Sequence, residues 1–579
     1  METAGLEELI RKTALLNAVR HEGKAQAGAV LGKVLAERQD LKSRAKELIL
    51  LVNKIVGEVN ALPASEQKRI IEEKWPELLQ REKTEEEKRL PPLPNAEKYP
   101  MVVTRFSPNP DCVLHLGSAR AIILSHDYAR IHRGKFILRF EDTDPKLKRP
   151  VPEFYDSIRE DLKWLECKPD EEYIQSDRIP IYYEYAEKLL KDGNAYVCTC
   201  QPQAFRMRIL AQEPCPCRNL PPEEQLERWS RMLNGEYKEG EAVLRVKTDL
   251  THPNPAVRDW PALRIIDTEK FPHPRTGSKY MVWPLYNFAC GLDDHLMGVT
   301  HIIRGKEHFT NMIRQEYMYR HLGWRYPEAI HYGRLKIKGA YLSKSKIVQG
   351  IREGQYWSWD DPRLATFAAL RKRGITPAAI RKLILDVGLK AADVVLSWEN
   401  LYAYNRKILD PHVTRYFFVK DPVQLSVSGI PKPITARIRL HPEHPEWGFR
   451  EYTVTPEEGK VLLWISRADM EAISAGKTVR LMELFNVKVE KVEVYAVEAK
   501  FLSESYQEAR ELGAPLIHWV IVGADMPCKI IMPNAAVAEG IAEAACKRLK
   551  PDMIVQFERF GFVRIEKVNA GLTAYYAHK

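Results

Sequence analysis

The period of the hydrophobic pattern changes twice along the chain, and these changes restrict the possible architectures more than any other feature. Between Leu48 and Val59 the apolar residues recur at steps of three, four and seven, which places them on one face of a helix. From Met101 onward, short apolar runs alternate with helical stretches, in the order MVVTRF, GSARAIILSHDYARIH and KFILRF. This alternation is typical of a parallel α/β sheet. Beyond about residue 410, alternation with a period of two predicts an all-β region.

Chain length, a run of charged residues and a proline-rich segment indicate where these regions divide into domains. A chain of 579 residues is too long for one hydrophobic core. A charge run ending near Leu90 and the proline-rich segment 91–94 can neither bury a core nor continue a helix, so we interpret this part as a linker. We therefore predict a helical N-terminal extension with its linker over 1–96, the first half of an α/β domain over 97–195, an insertion over 196–280, the second half with connecting helices over 281–410, and a β-rich part over 411–579.

Charge and composition narrow the class of partner. The formal net charge of +10 suits a partner rich in phosphate, although many basic proteins bind no nucleic acid. No apolar run approaches the roughly 18 residues that span a bilayer, and the N-terminal sequence METAGLEELI lacks the basic and apolar regions of a signal peptide. We therefore expect a cytoplasmic protein that acts on no membrane. In that compartment, the nine cysteines indicate reduced thiols or metal ligands in preference to disulfides.

Four of the cysteines form two close pairs, Cys198-x-Cys200 and Cys215-x-Cys217, with fourteen residues between the pairs. Two thiolate pairs separated by a loop can supply the four sulfur ligands of tetrahedral zinc, and a site with four protein ligands is structural. The alternatives are free thiols in a site that has lost its metal, or disulfides, which the expected compartment disfavours. The other five show no ligand spacing; we interpret Cys290 as part of a pocket wall and the rest as packing residues, namely Cys112, Cys167, Cys528 and Cys546.

Two short segments suit the binding of phosphate. After the run 101–106, His115-Leu116-Gly117-Ser118 opens a helix, which places backbone N–H groups and a positive helix end beside an imidazole. Taken alone, this is more often a glycine-containing helix start with a satisfied histidine. Far downstream, the loop 341–346 carries two lysines and two hydroxyls that could close over a polyphosphate. A solvated basic turn explains that loop equally well.

Together, and in this order within an α/β core, the two segments resemble the His-Ile-Gly-His and Lys-Met-Ser-Lys-Ser signatures of class I aminoacyl-tRNA synthetases, whose core is Rossmann-like. Two departures are that Ser118 replaces the usual second histidine and that Tyr341-Leu342 replace the first Lys-Met. The resemblance implies that His115 and Lys344 are catalytic, with Mg²⁺ bridging phosphate oxygens. It also implies an ATP site made of His115, Gly117, Ser118, Arg334, Leu335, Leu342, Ser343 and Lys344.

Two further segments, 140–145 (FEDTDP) and 286–308, resemble the glutamate and glutamine branch of this class. A glutamate substrate brings two carboxylates and one ammonium group, so its pocket needs guanidinium groups and at least one anion. The resemblance implies that Arg105 and Tyr286 hold the side-chain carboxylate, Arg304 the other carboxylate, and Glu141 the ammonium group. Each residue taken singly could instead belong to a surface or interdomain ion pair.

Two alternatives to a glutamate-activating enzyme stay open at this point. Glutaminyl-tRNA synthetases share the core, but a neutral amide needs no second fixed positive charge, and where those enzymes resemble this stretch they carry an uncharged residue at the position of Arg304. Arginine there favours glutamate. The other alternative is a non-catalytic tRNA-binding scaffold on a decayed core, which Ser118 supports and the retained Lys344 and glutamate-binding set oppose.

The remaining resemblances concern the ends of the chain. The segments WDDPR (359–363) and RKRGITPAAI (371–380) resemble the archaeal and eukaryotic glutamyl and the glutaminyl enzymes, and the N-terminal NAVRHEGKAQAGAVLGKVL resembles the extension found on this branch. As a whole the chain resembles the archaeal-type glutamyl-tRNA synthetases. That likeness implies a double β-barrel anticodon-binding part over 411–579 and a zinc-bearing insertion next to the tRNA acceptor stem. The implied activity is ATP-dependent activation of L-glutamate and its transfer to the 3′ end of tRNA(Glu), and the sequence leaves open whether tRNA(Gln) is also a substrate.

Overall fold

The computed structural model describes residues 2–20, 23–38, 45–75, 90–339 and 344–579. The chain divides into two compact units, Met1–Arg89 and Leu90–Lys579, which are described separately. The domain boundaries within the longer unit remain predictions from the sequence. Most of the charge run that precedes Leu90 lies outside the described residues, as do Tyr341, Leu342 and Ser343.

The first unit is helical, as the period of its apolar residues predicts. In its third helix, Leu48, Val52, Ile55 and Val59 are buried, which confirms the predicted apolar face. The buried amide of Gln67 donates to three backbone carbonyls and so joins the helix ends to the core. Among the described residues no single helix is long and apolar enough to cross a membrane. One bent pair passes on length and composition, and most of its apolar side chains pack in this core, although Ile49 and Leu50 are exposed. The helices are α1 Glu2–Arg20, α2 Ala27–Glu37, α3 Ala45–Asn60 and α4 Ala64–Lys74.

The second unit begins with a parallel sheet, which confirms the α/β prediction. Its three strands pair in the order in which they occur, with Val103 opposite Lys135 and Ile137 opposite Glu171. Gly134 precedes the second strand, and a Cβ atom there would lie 1.9 Å from the carbonyl oxygen of Val102, so this approach requires glycine. The elements are β1 Val103–Phe106, α5 Leu116–Ile131, β2 Lys135–Phe140, α6 Pro152–Trp164, β3 Glu171–Ile174 and α7 Ile179–Lys191.

An antiparallel sheet of four strands follows, at the place predicted for the insertion. Its strands pair sequentially, and they bury Trp229, Trp260 and Trp283 between the sheet and the helices. A smaller cluster around Phe205 encloses the four paired cysteines. The elements are β4 Ala195–Cys198, α8 Pro202–Leu210, α9 Pro222–Leu233, β5 Val243–Val246, β6 Pro261–Ile265 and β7 Val282–Pro284.

The chain then returns to the parallel layer. The backbone N–H of Thr300 donates to the carbonyl of Val103 (2.9 Å), so the next strand starts beside β1. Two parallel pairs are formed, one with Arg304 opposite His331 and the other with Leu335 opposite Val394. The elements are α10 Tyr286–Leu296, β8 His301–Gly305, α11 Phe309–Leu322, β9 Glu328–Tyr332, β10 Leu335–Ile337, α12 Lys344–Arg352, α13 Phe367–Arg373, α14 Pro377–Val387, β11 Val394–Leu396 and α15 Trp398–Leu409.

The C-terminal part is built almost entirely of strands, which confirms the predicted β-rich end. Two seven-stranded sheets each pack on their own apolar core, and a two-stranded hairpin lies beside them. The strands are β12 Arg415–Tyr416, β13 Phe418–Lys420, β14 Pro422–Ser428, β15 Ile434–Arg439, β16 Phe449–Val454, β17 Lys460–Ser466, β18 Thr478–Leu481, β19 Asn486–Val492, β20 Ala496–Ser503, β21 Leu516–Ile517, β22 Val520–Ile521, β23 Asp525–Ile531, β24 Val537–Glu543, β25 Ile554–Phe557, β26 Gly561–Val568 and β27 Leu572–His578, with the short helix α16 Tyr506–Glu511 between β20 and β21.

Candidate active site

A cavity of about 740 Å³ opens at the carboxyl ends of the parallel strands. Its walls come from β1 and β8, from the segments that follow β2 and β8, and from the start of α10. Ligands of open α/β sheets bind at this edge. All four residues that the sequence singled out for glutamate line the cavity, namely Arg105, Glu141, Tyr286 and Arg304.

Arg105, at one end of the cavity, is held by a carboxylate. Its Nε and Nη2 donate to Oδ1 (3.1 Å) and Oδ2 (3.3 Å) of Asp294 on α10. Arg139, which is fully buried, donates to the same Oδ1 (2.8 Å) and to Glu141 Oε1 (2.9 Å). Burial alone would raise the pKa of Asp294, but the two guanidinium groups hold it at about 2. Asp294 is therefore ionised and fixes the two arginines.

Arg304, which is 5 % exposed, donates hydrogen bonds only to neutral side chains. Its Nη2 donates to Tyr326 Oη (3.0 Å) and to Gln315 Oε1 (3.2 Å), and its Nε donates to His331 Nε2 (3.4 Å). The Nη1 atom is buried without a hydrogen-bond partner, and within the described part of the chain no carboxylate pairs with this guanidinium. A buried cation without a counter-charge is costly, so this end of the cavity is suited to an anionic ligand.

Two histidines beside Arg304 add no positive charge at neutral pH. Burial, and next to it the charge of Arg304, lowers the pKa of His308 to about 4 and that of His331 to about 4. Tyr286 packs against His308 with ring centroids 5.4 Å apart, and burial raises the pKa of its phenol well above 10. Tyr286 is therefore a neutral hydrogen-bond donor at the cavity wall.

The inner end of the cavity carries an excess of positive charge. Three guanidinium groups, those of Arg105, Arg139 and Arg304, face two carboxylates, those of Asp294 and Glu141, which leaves one positive charge. Burial raises the pKa of Glu141 above its usual value despite the nearby Arg139. A ligand ammonium group placed beside Glu141 would stabilise the carboxylate. The arrangement can therefore bind a small molecule that carries one ammonium and more than one carboxylate.

The first signature forms the N-terminus of α5. His115 is the N-cap residue, and its Nδ1 accepts from the backbone N–H of Gly117 (3.0 Å), so the ring proton belongs on Nε2. Burial lowers the pKa of His115. The flanking amides are also fixed, because Leu116 N–H donates to the carbonyl of Ala365 (2.8 Å) and Phe367 N–H to that of Leu114 (3.1 Å). The imidazole is a neutral donor held beside a helix N-terminus.

Arg120 joins this helix to the strand that bears Arg334 and Leu335. Its fully buried guanidinium donates to the carbonyls of Gly333 (2.7 Å), Gly388 (2.7 Å) and Lys390 (2.9 Å). Leu335 begins β10, whereas the side chain of Arg334 is 61 % exposed. The two parts predicted to bind nucleotide are thus tied together by a residue that the sequence did not single out.

The second signature is described only in part. Leu342, Ser343 and the side chain of Lys344 lie outside the described residues, and Lys344 begins α12. This helix packs through Ile347 on Leu364 and Ala369, in the segment that also pairs with the first signature. Both signatures therefore rest on the same stretch of chain.

The four paired cysteines come together, as their spacing predicted. Their sulfur atoms lie within 4.8 Å of one another, with Cys198 and Cys215 3.9 Å apart and Cys200 and Cys217 3.7 Å apart. A tetrahedron with Zn–S bonds of about 2.3 Å has edges of about 3.8 Å, so the donor set fits zinc. Arg228 Nη1 donates to Cys217 Sγ (3.4 Å), a contact that suits a thiolate.

Several residues of the cavity were missed from the sequence. Asp294 lies in the segment 286–308, which resembles the glutamate and glutamine branch. Its position one α-helical turn after Cys290, a predicted pocket-wall residue, would have placed it near the pocket. Arg139, Gln315 and Tyr326 gave no signal, because their contacts join positions far apart in the chain.

Comparison with known proteins identifies the family to which the chain belongs. The family model for tRNA synthetases class I (E and Q), catalytic domain, matches residues 101–411, and models for the anti-codon binding domain of this family match 413–502 and 516–566. Proteins named glutamate–tRNA ligase from Thermococcus kodakarensis and Pyrococcus abyssi are 54 % and 55 % identical to this chain, each covering 99 % of it and 100 % of the relative. One from Methanopyrus kandleri is 47 % identical over 100 % of both chains. The chain belongs to the class I tRNA synthetases of the glutamate and glutamine (E and Q) family.

Proposed function

We propose that this protein is a glutamate–tRNA ligase, which activates L-glutamate with ATP and transfers it to the 3′ end of tRNA(Glu). The observation that carries the proposal is the guanidinium of Arg304, which is buried at the inner end of the cavity and is paired with no carboxylate of the described residues. Glutamate has one net negative charge and glutamine has none, so of the two only glutamate offsets the one excess positive charge of the group formed by Arg105, Arg139, Arg304, Asp294 and Glu141. The relatives named above carry the same activity in their names.

Each cavity residue has a role in this proposal. This proposal reverses the assignment implied by the resemblance. Arg304, whose Nη1 has no partner among the described residues, binds with Tyr286 the side-chain carboxylate that glutamine lacks, and Arg105, already paired with Asp294, binds the α-carboxylate. Glu141 binds the ammonium group, whose positive charge stabilises the carboxylate against the effect of burial. Because Asp294 fixes Arg105 and Arg139 in advance, little side-chain entropy is lost on binding.

The first chemical step is attack by a glutamate carboxylate oxygen on the α-phosphorus of ATP, with pyrophosphate leaving in line. His115 donates from Nε2 to a phosphate oxygen, and Lys344 neutralises the charge that develops on the leaving group. Gly117 and Ser118 offer the N-terminus of α5, Arg334 and Leu335 flank the adenosine, and Leu342 and Ser343 belong to the loop that closes over ATP. Mg²⁺, when bound with ATP, would supply further charge neutralisation.

In the second step a terminal ribose hydroxyl of the tRNA attacks the mixed anhydride, and AMP leaves. The cavity exceeds the volume of glutamate several-fold, which leaves room for the adenylate and a ribose. Because its outer wall comes from Pro261 and Arg264 of the insertion, the tRNA end would reach the carboxylate from that side.

Zinc has a structural role in this proposal. Cys198, Cys200, Cys215 and Cys217 would hold the ion, and a site with all four positions filled by protein leaves none for a substrate. When bound, the ion would cross-link the end of β4 at Cys198 to the short helical turn Pro216–Asn219. The β-rich C-terminal part, matched by the anti-codon binding models, would bind the anticodon of the tRNA, and the cytoplasm, where ATP and tRNA are present, is the proposed compartment.

The proposal is tested by measuring aminoacylation of purified tRNA(Glu) and tRNA(Gln), each with glutamate and with glutamine. We expect charging of tRNA(Glu) with glutamate and no charging by glutamine, and the rate with tRNA(Gln) and glutamate defines the breadth of tRNA choice. Faster charging with glutamine would indicate a glutaminyl enzyme. Failure of all four reactions, together with retained tRNA binding, would indicate a non-catalytic scaffold.

A further inference from the structure

Gln315 on α11 lies behind Arg304 and does not line the cavity. Its side chain is fully buried, and its Oε1 accepts from Arg304 Nη2 (3.2 Å) and from Tyr326 Oη (2.7 Å). Its Nε2 donates to the carbonyl of Asn287 on α10 (3.3 Å). The amide therefore has its hydrogen bonds satisfied on both sides, and its oxygen is directed at the guanidinium.

The neutral amide in this position leaves the charge of Arg304 unmatched, whereas the charge of Arg105 is matched. Buried guanidinium groups are usually paired with carboxylates, and Arg105 in the same cavity has Asp294 at 3.1 and 3.3 Å. Gln315 Oε1 contacts Arg304 as Asp294 Oδ1 contacts Arg105, but without a charge. A glutamate at position 315 would have the same size and would remove the excess positive charge of the cavity.

We infer that Gln315 is a positioning and specificity-determining residue, which orients Arg304 while withholding a counter-charge from it. The charge of Arg304 is then matched only when the ligand is glutamate, which carries the negative charge that glutamine lacks. Tyr326 shares the task, because its hydroxyl accepts from Arg304 and donates to Gln315. This inference rests on the proposed function, since it explains how such an enzyme would prefer glutamate.

The test compares Gln315→Glu with Gln315→Met, two variants of similar size that differ in charge. Amino-acid-dependent ATP–pyrophosphate exchange is measured at pH 8 with glutamate and with glutamine, in the presence of tRNA, and thermal melting checks that each variant is folded. Because a buried charge-assisted hydrogen bond is lost to an internal competitor, Gln315→Glu should raise KM for glutamate roughly 10- to 100-fold with kcat changed far less. Its KM for glutamine should not rise, so the preference for glutamate falls by the same factor.

Gln315→Met keeps Arg304 charged but loosens its orientation. We expect KM for glutamate to rise only a few-fold, to about 5-fold, with most of the preference for glutamate retained. A folded Gln315→Glu variant that keeps the wild-type ratio of glutamate to glutamine activation within about 2-fold would overturn the inference. An equal loss in both variants would also overturn it, because the charge would then be irrelevant.

If Gln315→Glu does not fold, the variants Gln315→Met and Tyr326→Phe test whether Gln315 and Tyr326 orient Arg304. Each should raise KM for glutamate while kcat stays within about 2-fold, and unchanged KM in both overturns the inference. The proposed function fails separately, in the wild-type protein, if glutamate supports no exchange at all.

Discussion

The cavity at the sheet edge and the cysteine cluster in the insertion are both built for charged ligands, but only one of them is complete. The cluster takes four ligands from the segment 198–217, and these fill every position of a tetrahedral ion. The cavity takes its charged groups from four elements and leaves Arg304 without a counter-charge. The comparison teaches that a site completed by the protein stabilises the fold, whereas a guanidinium that lines a cavity with its charge unmatched can bind an anionic substrate.

The largest expected effect is at Arg304, whose unmatched charge separates the cavity from the cysteine cluster. Arg304→Ala should lower kcat/KM for glutamate in ATP–pyrophosphate exchange by on the order of 10³-fold, because one partner of a buried charge pair is lost. A matched control is Arg325→Ala, which removes an arginine that is 66 % exposed and paired with Glu328. The control should keep wild-type kinetics. A loss of less than about 5-fold in Arg304→Ala would show that the unmatched charge is not used by the substrate.

Lys344 tests whether the loop beyond the cavity acts on the transition state. Lys344→Ala should lower kcat for glutamate-dependent exchange by about 10²- to 10³-fold with KM for glutamate nearly unchanged, because a group that stabilises developing charge is removed. Lys188→Ala, which breaks a surface pair with Asp192, serves as the control. Near-normal single-turnover rates in Lys344→Ala would exclude the lysine from the mechanism.

In contrast to the cavity, substitution in the cysteine cluster should lower the stability of the fold more than the catalytic rate. Cys215→Ser should reduce bound zinc from about one ion per chain to none and lower the melting temperature by roughly 5 °C or more. Cys112→Ser, outside the cluster, should keep both values. Metal analysis and thermal melting measure the two effects. Full zinc content in Cys215→Ser would exclude the tetrahedral four-cysteine site.

The smallest expected effect concerns pH, and it sharpens the claim that arginine alone supplies the excess charge. The pKa of His308 and that of His331 are depressed to about 4, so both rings are neutral above about pH 5 and take up protons only below it. KM for glutamate should therefore change by less than about 2-fold between pH 8 and pH 6. A steep fall in KM over this interval would mean that the histidines become charged and assist glutamate binding.

How far the sequence could predict these sites depends on the distance between their parts. The cluster was predictable residue by residue, since its ligands lie on two short segments and their spacing alone indicates a tetrahedral ion. The α/β core and the β-rich end followed from the hydrophobic period. The substrate arginines came from resemblance, and the sequence could not reveal which of them has a counter-charge. Asp294 is 189 positions from Arg105, and only the packing of α10 against β1 and β2 brings the two together.

The same reason explains why Gln315 and Tyr326 were missed. Both contact Arg304 from separate elements, and neither residue type is unusual for a buried helix or a loop. Arg120 was hidden in another way, because its partners are backbone carbonyls, which every residue carries.

The most direct test of the unmatched charge is a crystal structure of the protein with L-glutamate bound. A carboxylate oxygen of the ligand should lie about 2.7–3.1 Å from Arg304 Nη1, with Asp294 still paired to Arg105. A structure in which glutamate occupies the cavity while Arg304 Nη1 stays without a carboxylate would contradict the central claim.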